Sequence, residues 1–340
     1  MSRPTLDLAA LAAWAGGRVP GLVEPLAVTR FSGGQSNPTY RLDSHGGAFV
    51  LRRKPHGTLL KSAHAVDREF RVQKALADTA VPVPRMHALC EDAGVIGTAF
   101  YIMDLVEGRI FDQPALPGLD PAARDAILDE VTRVLAAIHE VDIDATGLAD
   151  FGPPGHYCQR QTDRWAAQYH ATQTEALPEM EALIGWLRDN MPADDGQRRL
   201  VHGDYRIDNL VFAPDRAEIR AVLDWELSTV GHPFADLAGV VMQWSMPATA
   251  EGRGLQGVDR AARGLWSDQR FIDSYCARRG IAGIDDFNFY LAFCFFRMAA
   301  ILQGVKKRAL DGNAADPERG LKLGAYVPHF ARAGLKAAAA

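Results

Sequence analysis

The chain has 340 residues, 48% hydrophobic and 23% charged, which is length for about two domains and excludes a disordered, fibrous or small disulfide-stapled protein. With 37 Lys and Arg against 42 Asp and Glu the net charge is −5, so no overall basic excess points to nucleic acid or an anionic membrane, and any phosphate recognition has to be local. Cys90, Cys158, Cys276 and Cys294 are widely spaced with no C-x-x-C pair, which reads neither as a zinc site nor as a disulfide framework and fits a reducing cytoplasm.

The apolar stretch Leu8 to Gly17 follows Asp7 and carries too little preceding charge for a secretory signal, so it reads as an amphipathic helix. Leu26 to Phe31 reads as a strand, Ser32 to Asn37 as a turn and Thr39 to Leu42 as a returning strand. Gly46-Gly47 turns the chain again, and the strand Ala48 to Arg52 runs into the basic cluster Arg52-Arg53-Lys54 before Pro55, which suggests an antiparallel meander. From Ala65 to Ala77 the apolar residues take helical spacing, and Glu69 falls on the apolar face with Val66, where a carboxylate needs a cation. Ala99 to Met103 is a further strand running into Asp104-Leu105-Val106, and the boundary between two lobes is expected here.

Beyond that point the pattern turns helical. Asp120 and Pro121 start a helix with Ile127, Val131, Val134, Leu135 and Ile138 on one face. Two short strands, Leu210 to Phe212 and Ile219 to Leu223, form a hairpin across Ala213-Pro214-Asp215. Phe287 to Leu302 is apolar nearly all round and is expected at the centre of the larger lobe. No stretch reads as a bilayer span, there is no internal repeat, and the terminal Ala337 to Ala340 is the one low-complexity tract. The expected architecture is α+β and two-lobed, with a β-rich lobe over residues 1–104 and an α-rich lobe over 105–340.

The most informative segment is Val201-His202-Gly203-Asp204-Tyr205-Arg206-Ile207-Asp208-Asn209, followed by Asp224 at the end of an apolar strand. Its spacing resembles the kinase catalytic loop, in which an Asp meets the acceptor hydroxyl, an Asn five residues on holds Mg²⁺, and a second Asp after a hairpin holds Mg²⁺ between the phosphates. Asp204, Asn209 and Asp224 fill those places. Carboxylate and amide oxygens are what a hard cation with octahedral geometry takes. Asp204 is a weak base, but in a loose phosphoryl-transfer transition state positioning the nucleophile matters more than early proton removal. His202 and His139 read as satisfied core histidines, and Asp236 as a brace for the loop. Arg297, inside an apolar helix, calls for a partner, either a structural carboxylate or an anionic substrate group.

Taken together, His202-Gly203-Asp204 to Asn209 and Asp224-Trp225-Glu226 resemble the aminoglycoside phosphotransferase and choline kinase superfamily. Gly33-Gly34-Gln35-Ser36-Asn37-Pro38-Thr39-Tyr40, Val50 to Pro55, Ser62 to Glu69 and Leu223 to Thr229 are similar to the kinase-like domain fused to some acyl-CoA dehydrogenases. The resemblance covers about residues 10–310. It implies a small-molecule kinase that uses ATP and Mg²⁺ to phosphorylate a hydroxyl, notably on a hydroxyacyl-CoA. An aminoglycoside or other small-alcohol kinase is the alternative, and an inactive nucleotide-binding scaffold the second. It also implies that Gly33, Gly34, Ser36 and Asn37 cover the nucleotide phosphates through backbone N–H groups, and that Asp104 and Val106 lie at the hinge that reads the base. Aligned on the kinase strand, Arg52 stands where the phosphate-binding lysine belongs, paired with Glu69. Lys54 shares its strand face and is the other candidate, Arg53 reads equally as a solvated basic edge, and Glu226 is open between metal, acceptor and salt bridge. No Walker-type phosphate loop is present.

Overall fold

The computed structural model describes residues 6–31, 37–55, 65–249, 252–314 and 316–340. From the N-terminus the elements are α1 (Leu8–Ala15), β1 (Ala27–Arg30), β2 (Thr39–Ser44), β3 (Gly47–Arg53), α2 (Val66–Ala75), β4 (Met86–Cys90), α3 (Ala93–Ile96) and β5 (Phe100–Asp104). Then come α4 (Pro121–Glu140), α5 (Tyr157–Thr172), α6 (Pro178–Asp189), β6 (Arg199–Val201), β7 (Leu210–Phe212), β8 (Ile219–Val222) and β9 (Thr229–Gly231). The chain closes with α7 (Pro233–Trp244), α8 (Asp268–Arg279), α9 (Phe287–Leu310), α10 (Pro317–Gly324) and α11 (Val327–Ala338). The fold is α+β, as expected.

Two compact units divide the chain. The first gathers Met1–Phe111, Thr146–Leu148 and Ile207–Ser228, and the second Asp112–Ala145, Ala149–Arg206 and Thr229–Ala340. Their boundary falls inside the His202–Asn209 motif, between Arg206 and Ile207, so the hairpin of β7 and β8 belongs with the N-terminal sheet.

In the first unit a five-stranded antiparallel sheet runs in the order β1-β2-β3-β5-β4. Strand β4 is not legible beforehand. Its Met-His-Ala-Leu-Cys sequence does not alternate, and its pairing with β5 shifts register between Met86 and Ala88. The two-residue period of β3 sorts its side chains. Phe49 and Leu51 join Leu11, Leu42, Phe100 and Ile102 on one face. Val50 joins Val66, Tyr101 and Met103 on the other, under α2. Arg52 follows Val50 and Arg53 follows Leu51, so adjacent arginines leave the strand on opposite faces.

The second unit is helical and built around α9. Phe289, Phe293 and Phe296 are buried there against Leu183, Ile184 and Phe330. Full burial of each ring contributes roughly 1.5–3 kcal/mol. Among the described residues α9 is the one helix long and apolar enough to cross a membrane, with 61% of its most apolar window buried inside the protein. That degree of burial marks a core helix, whose apolar surround comes from protein. The four cysteines are free and buried, and burial pushes Cys158 and Cys294 up to about 12.

Candidate active site

In the first unit, strand parity and helical spacing bring four charged groups together. Arg52 leaves β3 on the face that α2 covers, and Glu69, three residues after Val66, leaves α2 toward that face. Arg52 Nε lies 2.8 Å from Glu69 Oε2. The same guanidinium places Nη2 2.5 Å from Asp224 Oδ1 and 3.8 Å from Glu226 Oε2. Glu69 is fully buried and receives hydrogen bonds from Asn37 Nδ2 at 2.8 Å and Tyr101 Oη at 2.9 Å. Burial pushes its carboxyl above the ordinary carboxylate range, with Arg52 and the two hydrogen bonds pulling it back. On Arg52 burial acts against the charge, but Glu69, Tyr101, Asp224 and Glu226 outweigh it and hold the guanidinium protonated.

Asn209 and Asp224 reach one end of the β7–β8 hairpin by register. Leu210 pairs with Val222, and the Leu223 N–H donates to the Asn209 carbonyl at 2.8 Å, so the residue flanking each strand lies at the same end. Asp224 adopts a left-handed backbone, φ 65° and ψ 56°, and heads the short 3₁₀ turn Trp225–Leu227. A non-glycine residue there costs about 1–3 kcal/mol, a strain found mostly where function demands it. Buried Trp225 anchors the turn by donating Nε1 to the Val222 carbonyl at 2.9 Å.

The donors fit a magnesium ion. Carboxylate oxygens of Glu69, Asp224 and Glu226 lie within 4.8 Å of one another; Glu69 is engaged by Arg52, which leaves Asp224 and Glu226 as the carboxylate donors, with the backbone of Asn209 at the same hairpin end. All are hard ligands, with no histidine or thiol in the set.

In the second unit, Asp204 is held by backbone geometry. The Asp236 carboxylate accepts from the His202 N–H at 2.5 Å and the Gly203 N–H at 2.8 Å, and Gly203 takes φ 81°, which a glycine adopts without strain. The brace expected of Asp236 is therefore present, and its two backbone bonds fix the chain on either side of the turn. Behind it stand buried His139, with Nε2 3.4 Å from Asp236 Oδ2 and Nδ1 2.7 Å from Tyr275 Oη, and Arg279, which donates to Tyr275 at 2.7 Å. Burial depresses the His139 pKa, and, against its own burial, Asp236 is held below the usual carboxylate range by His139, His202 and the Gly203 amide. Arg206 Nε lies 3.4 Å from Asp204 Oδ1.

The sequence expectation of a solvated edge at Arg53 needs correction. Arg53 is no solvated edge. It is 5% exposed, donates to Tyr40 Oη at 3.3 Å and stacks over the Tyr40 ring, because strand parity turns it into the opposite core. Lys54 lies beyond the end of β3 and pairs with Asp67 at 3.5 Å, leaving Arg52 as the cation on Glu69. Arg297 Nη2 donates to the Gly203 carbonyl at 2.8 Å, tying α9 to the loop. Asp104 ends β5 with Oδ1 2.6 Å from His87 Nε2, a partner carried on β4, whose sequence has no strand alternation. Val106 is half-buried just beyond β5. Gly33, Gly34 and Ser36 lie outside the described residues, while Asn37 is buried on Glu69.

Known proteins resemble the chain along most of its length. The phosphotransferase enzyme family APH matches residues 27–275. Acyl-CoA dehydrogenase family member 10 of Mus musculus is 49% identical over 292 residues, covering 86% of this chain and 27% of that protein. Acyl-CoA dehydrogenase family member 11 of Rattus norvegicus is 41% identical over 340 residues, 97% of this chain and 43% of that protein. The chain thus spans less than half the length of these relatives. Among solved structures, a protein of Ralstonia eutropha, provisionally named an aminoglycoside phosphotransferase, superposes with a TM-score of 0.89 at 46% identity over 98% of each chain. APH(4)-Ia in ternary complex with AMP-PNP and hygromycin B shares the fold, with a TM-score of 0.64 at 18% identity over 96% of this chain and 98% of that one. With its kinase-like fold and more than half its length matched, the chain belongs to the phosphotransferase enzyme family.

Proposed function

We propose that the chain transfers the γ-phosphoryl group of ATP, with Mg²⁺, to a hydroxyl of a hydroxyacyl-CoA. The observation that carries the nucleotide half of this reading is the buried Arg52–Glu69 pair with Asp224 on the same guanidinium. A cation fixed by a helix glutamate beside a metal-type aspartate is the arrangement a kinase uses on phosphates. The acceptor half rests on the relatives named acyl-CoA dehydrogenases at 41–49% identity, whose own substrates belong to longer chains.

In this reading Asp204 orients the acceptor hydroxyl and takes its proton as the new phosphorus–oxygen bond forms, the old bond to the leaving ADP oxygen breaking at the same time. Asp236 keeps Asp204 in place through the backbone. Arg52 meets phosphate oxygens, and Glu69 fixes where its guanidinium points. Gly33, Gly34, Ser36 and Asn37 belong to the nucleotide-binding set. Asp104 to Val106 read the base. Asn209 and Asp224 would hold Mg²⁺, whose chemistry there would be to neutralise the charge that develops on the phosphates. A cytoplasmic setting and the absence of nucleic-acid or membrane partners belong to the same proposal.

The test is ADP release by the purified chain on a panel of hydroxyacyl-CoAs, the free hydroxy acids, choline-like alcohols and aminoglycosides. Turnover on a CoA thioester at least about tenfold above every other class is expected, a difference of roughly 1.4 kcal/mol in transition-state binding. Preferred turnover on an aminoglycoside would replace the acceptor while leaving the phosphoryl chemistry intact.

A further inference from the structure

Kinase-like sites place a cation between the helix glutamate and the phosphates, and here the cation is an arginine in contact with three carboxylates at once. A guanidinium and an ammonium differ in a way that matters at this position. Lysine presents one point charge, so moving from one partner to another moves the whole charge. Arginine spreads its charge over a rigid plane, and in this chain its ion-pair contacts are divided. Nε faces Glu69 at 2.8 Å, while Nη2 faces Asp224 at 2.5 Å with Glu226 at 3.8 Å. One end of the fork is buried with Glu69 at 1% side-chain exposure; the other reaches Asp224 at 31% and Glu226 at 22%.

We propose that Arg52 is a resident counter-cation of the metal site. It neutralises Asp224 and Glu226 until a divalent cation binds there, and that binding obliges Nη2 to leave Asp224 while Nε stays on Glu69, so metal occupancy turns Arg52 toward the phosphates. The inference rests on the assignment of Asp224 as a metal ligand. Its physical basis is that three carboxylates whose oxygens lie within 4.8 Å of one another cannot stay ionised and uncompensated in a partly buried site. Arg52 supplies the compensation without a metal, at the cost of competing with it. Metal and nucleotide should then favour each other's binding, since metal frees the guanidinium that the phosphates need, and this coupling is reciprocal.

Mn²⁺ binding to the nucleotide-free chain, followed by electron paramagnetic resonance, tests the competition without reference to turnover. Removing the competing charge in Arg52→Gln should tighten Mn²⁺ by about tenfold. The same variant should weaken AMP-PNP, measured by calorimetry. Because Arg52→Gln also strands buried Glu69, the double variant R52Q/E69Q is measured alongside it; it removes the ion pair as a unit and still frees Asp224, so Mn²⁺ should tighten there too. A merely structural Arg52 would leave Mn²⁺ affinity unchanged or lower it in both variants, and that result overturns the inference. Asp224→Asn separates the two levels. If it binds Mn²⁺ as tightly as the parent, the ligand assignment itself fails, whereas loss of Mn²⁺ in D224N with no gain in R52Q/E69Q leaves the assignment standing and defeats the competition alone.

Discussion

Two polar centres in this protein solve the problem of buried charge in opposite ways. Around Arg52, in the first unit, one guanidinium is shared among Glu69, Asp224 and Glu226, two of them partly open to solvent. Around Asp236, in the second unit, one carboxylate is surrounded by fixed donors, the amides of His202 and Gly203 and the ring of His139, and is almost wholly buried. The first has movable partners on its exposed side; the second has none to exchange. Charge that must meet a ligand is balanced by a side chain that can change partner, and charge that must hold a loop is balanced by backbone that cannot.

The contrast breaks most visibly at the acidic residues. Asp204→Asn should lower kcat by about 10²–10⁴-fold with the Kd of Mg²⁺·AMP-PNP unchanged, whereas Asp224→Ala should lose both. Activity of Asp204→Asn equal to the parent would remove that residue from the chemistry.

Stability tells the centres apart next. Arg52→Gln leaves Glu69 buried without its cation and should cost about 3–5 kcal/mol in urea unfolding, and pairing it with Glu69→Gln should recover most of the loss. A double variant no more stable than the single one would mean that the cation matters for packing rather than charge.

At the other centre, Asp236→Asn keeps the shape but turns one acceptor oxygen into a donor facing backbone N–H. We expect about 1–3 kcal/mol of destabilisation and a fall in kcat with KM for ATP retained. A change in KM alone would place Asp236 outside the bracing of the loop.

The smallest effect is in pH dependence. Burial lowers the His139 and His232 pKa values from 6.5, so in the folded state these rings resist protonation that the unfolded chain accepts. The unfolded state therefore binds more protons below pH 6.5, and stability should fall as pH drops through that window. His139→Gln and His232→Gln should each flatten the melting-temperature profile between about pH 6.5 and 5. An unchanged slope in both would show that neither ring stays neutral in the fold.

Much of the candidate site was legible because phosphoryl transfer needs particular atoms at particular separations. The His202–Asn209 spacing, the hairpin and Asp224 marked the motif, and the period of α2 set Glu69 on the face of Val66. The rest depended on partners distant in sequence. His87 found Asp104 through a strand whose residues do not alternate, and His139 met Tyr275 across 136 positions. Arg297, which the sequence leaves between a structural carboxylate and an anionic substrate group, donates to the carbonyl of Gly203. A buried cation requires acceptors, and nothing in its own helix says which kind.

By itself the sequence determined the α+β class, the hairpin that carries Asn209 and Asp224 to one end, and the residue types able to hold a triphosphate, because these follow from local periodicity and coordination chemistry. Tertiary structure alone decided among Arg52, Arg53 and Lys54. One residue of strand parity sends the first to Glu69 and the second into the opposite core, while the third falls past the strand's end. Three adjacent cations are chemically alike, and only the faces of the sheet make them different.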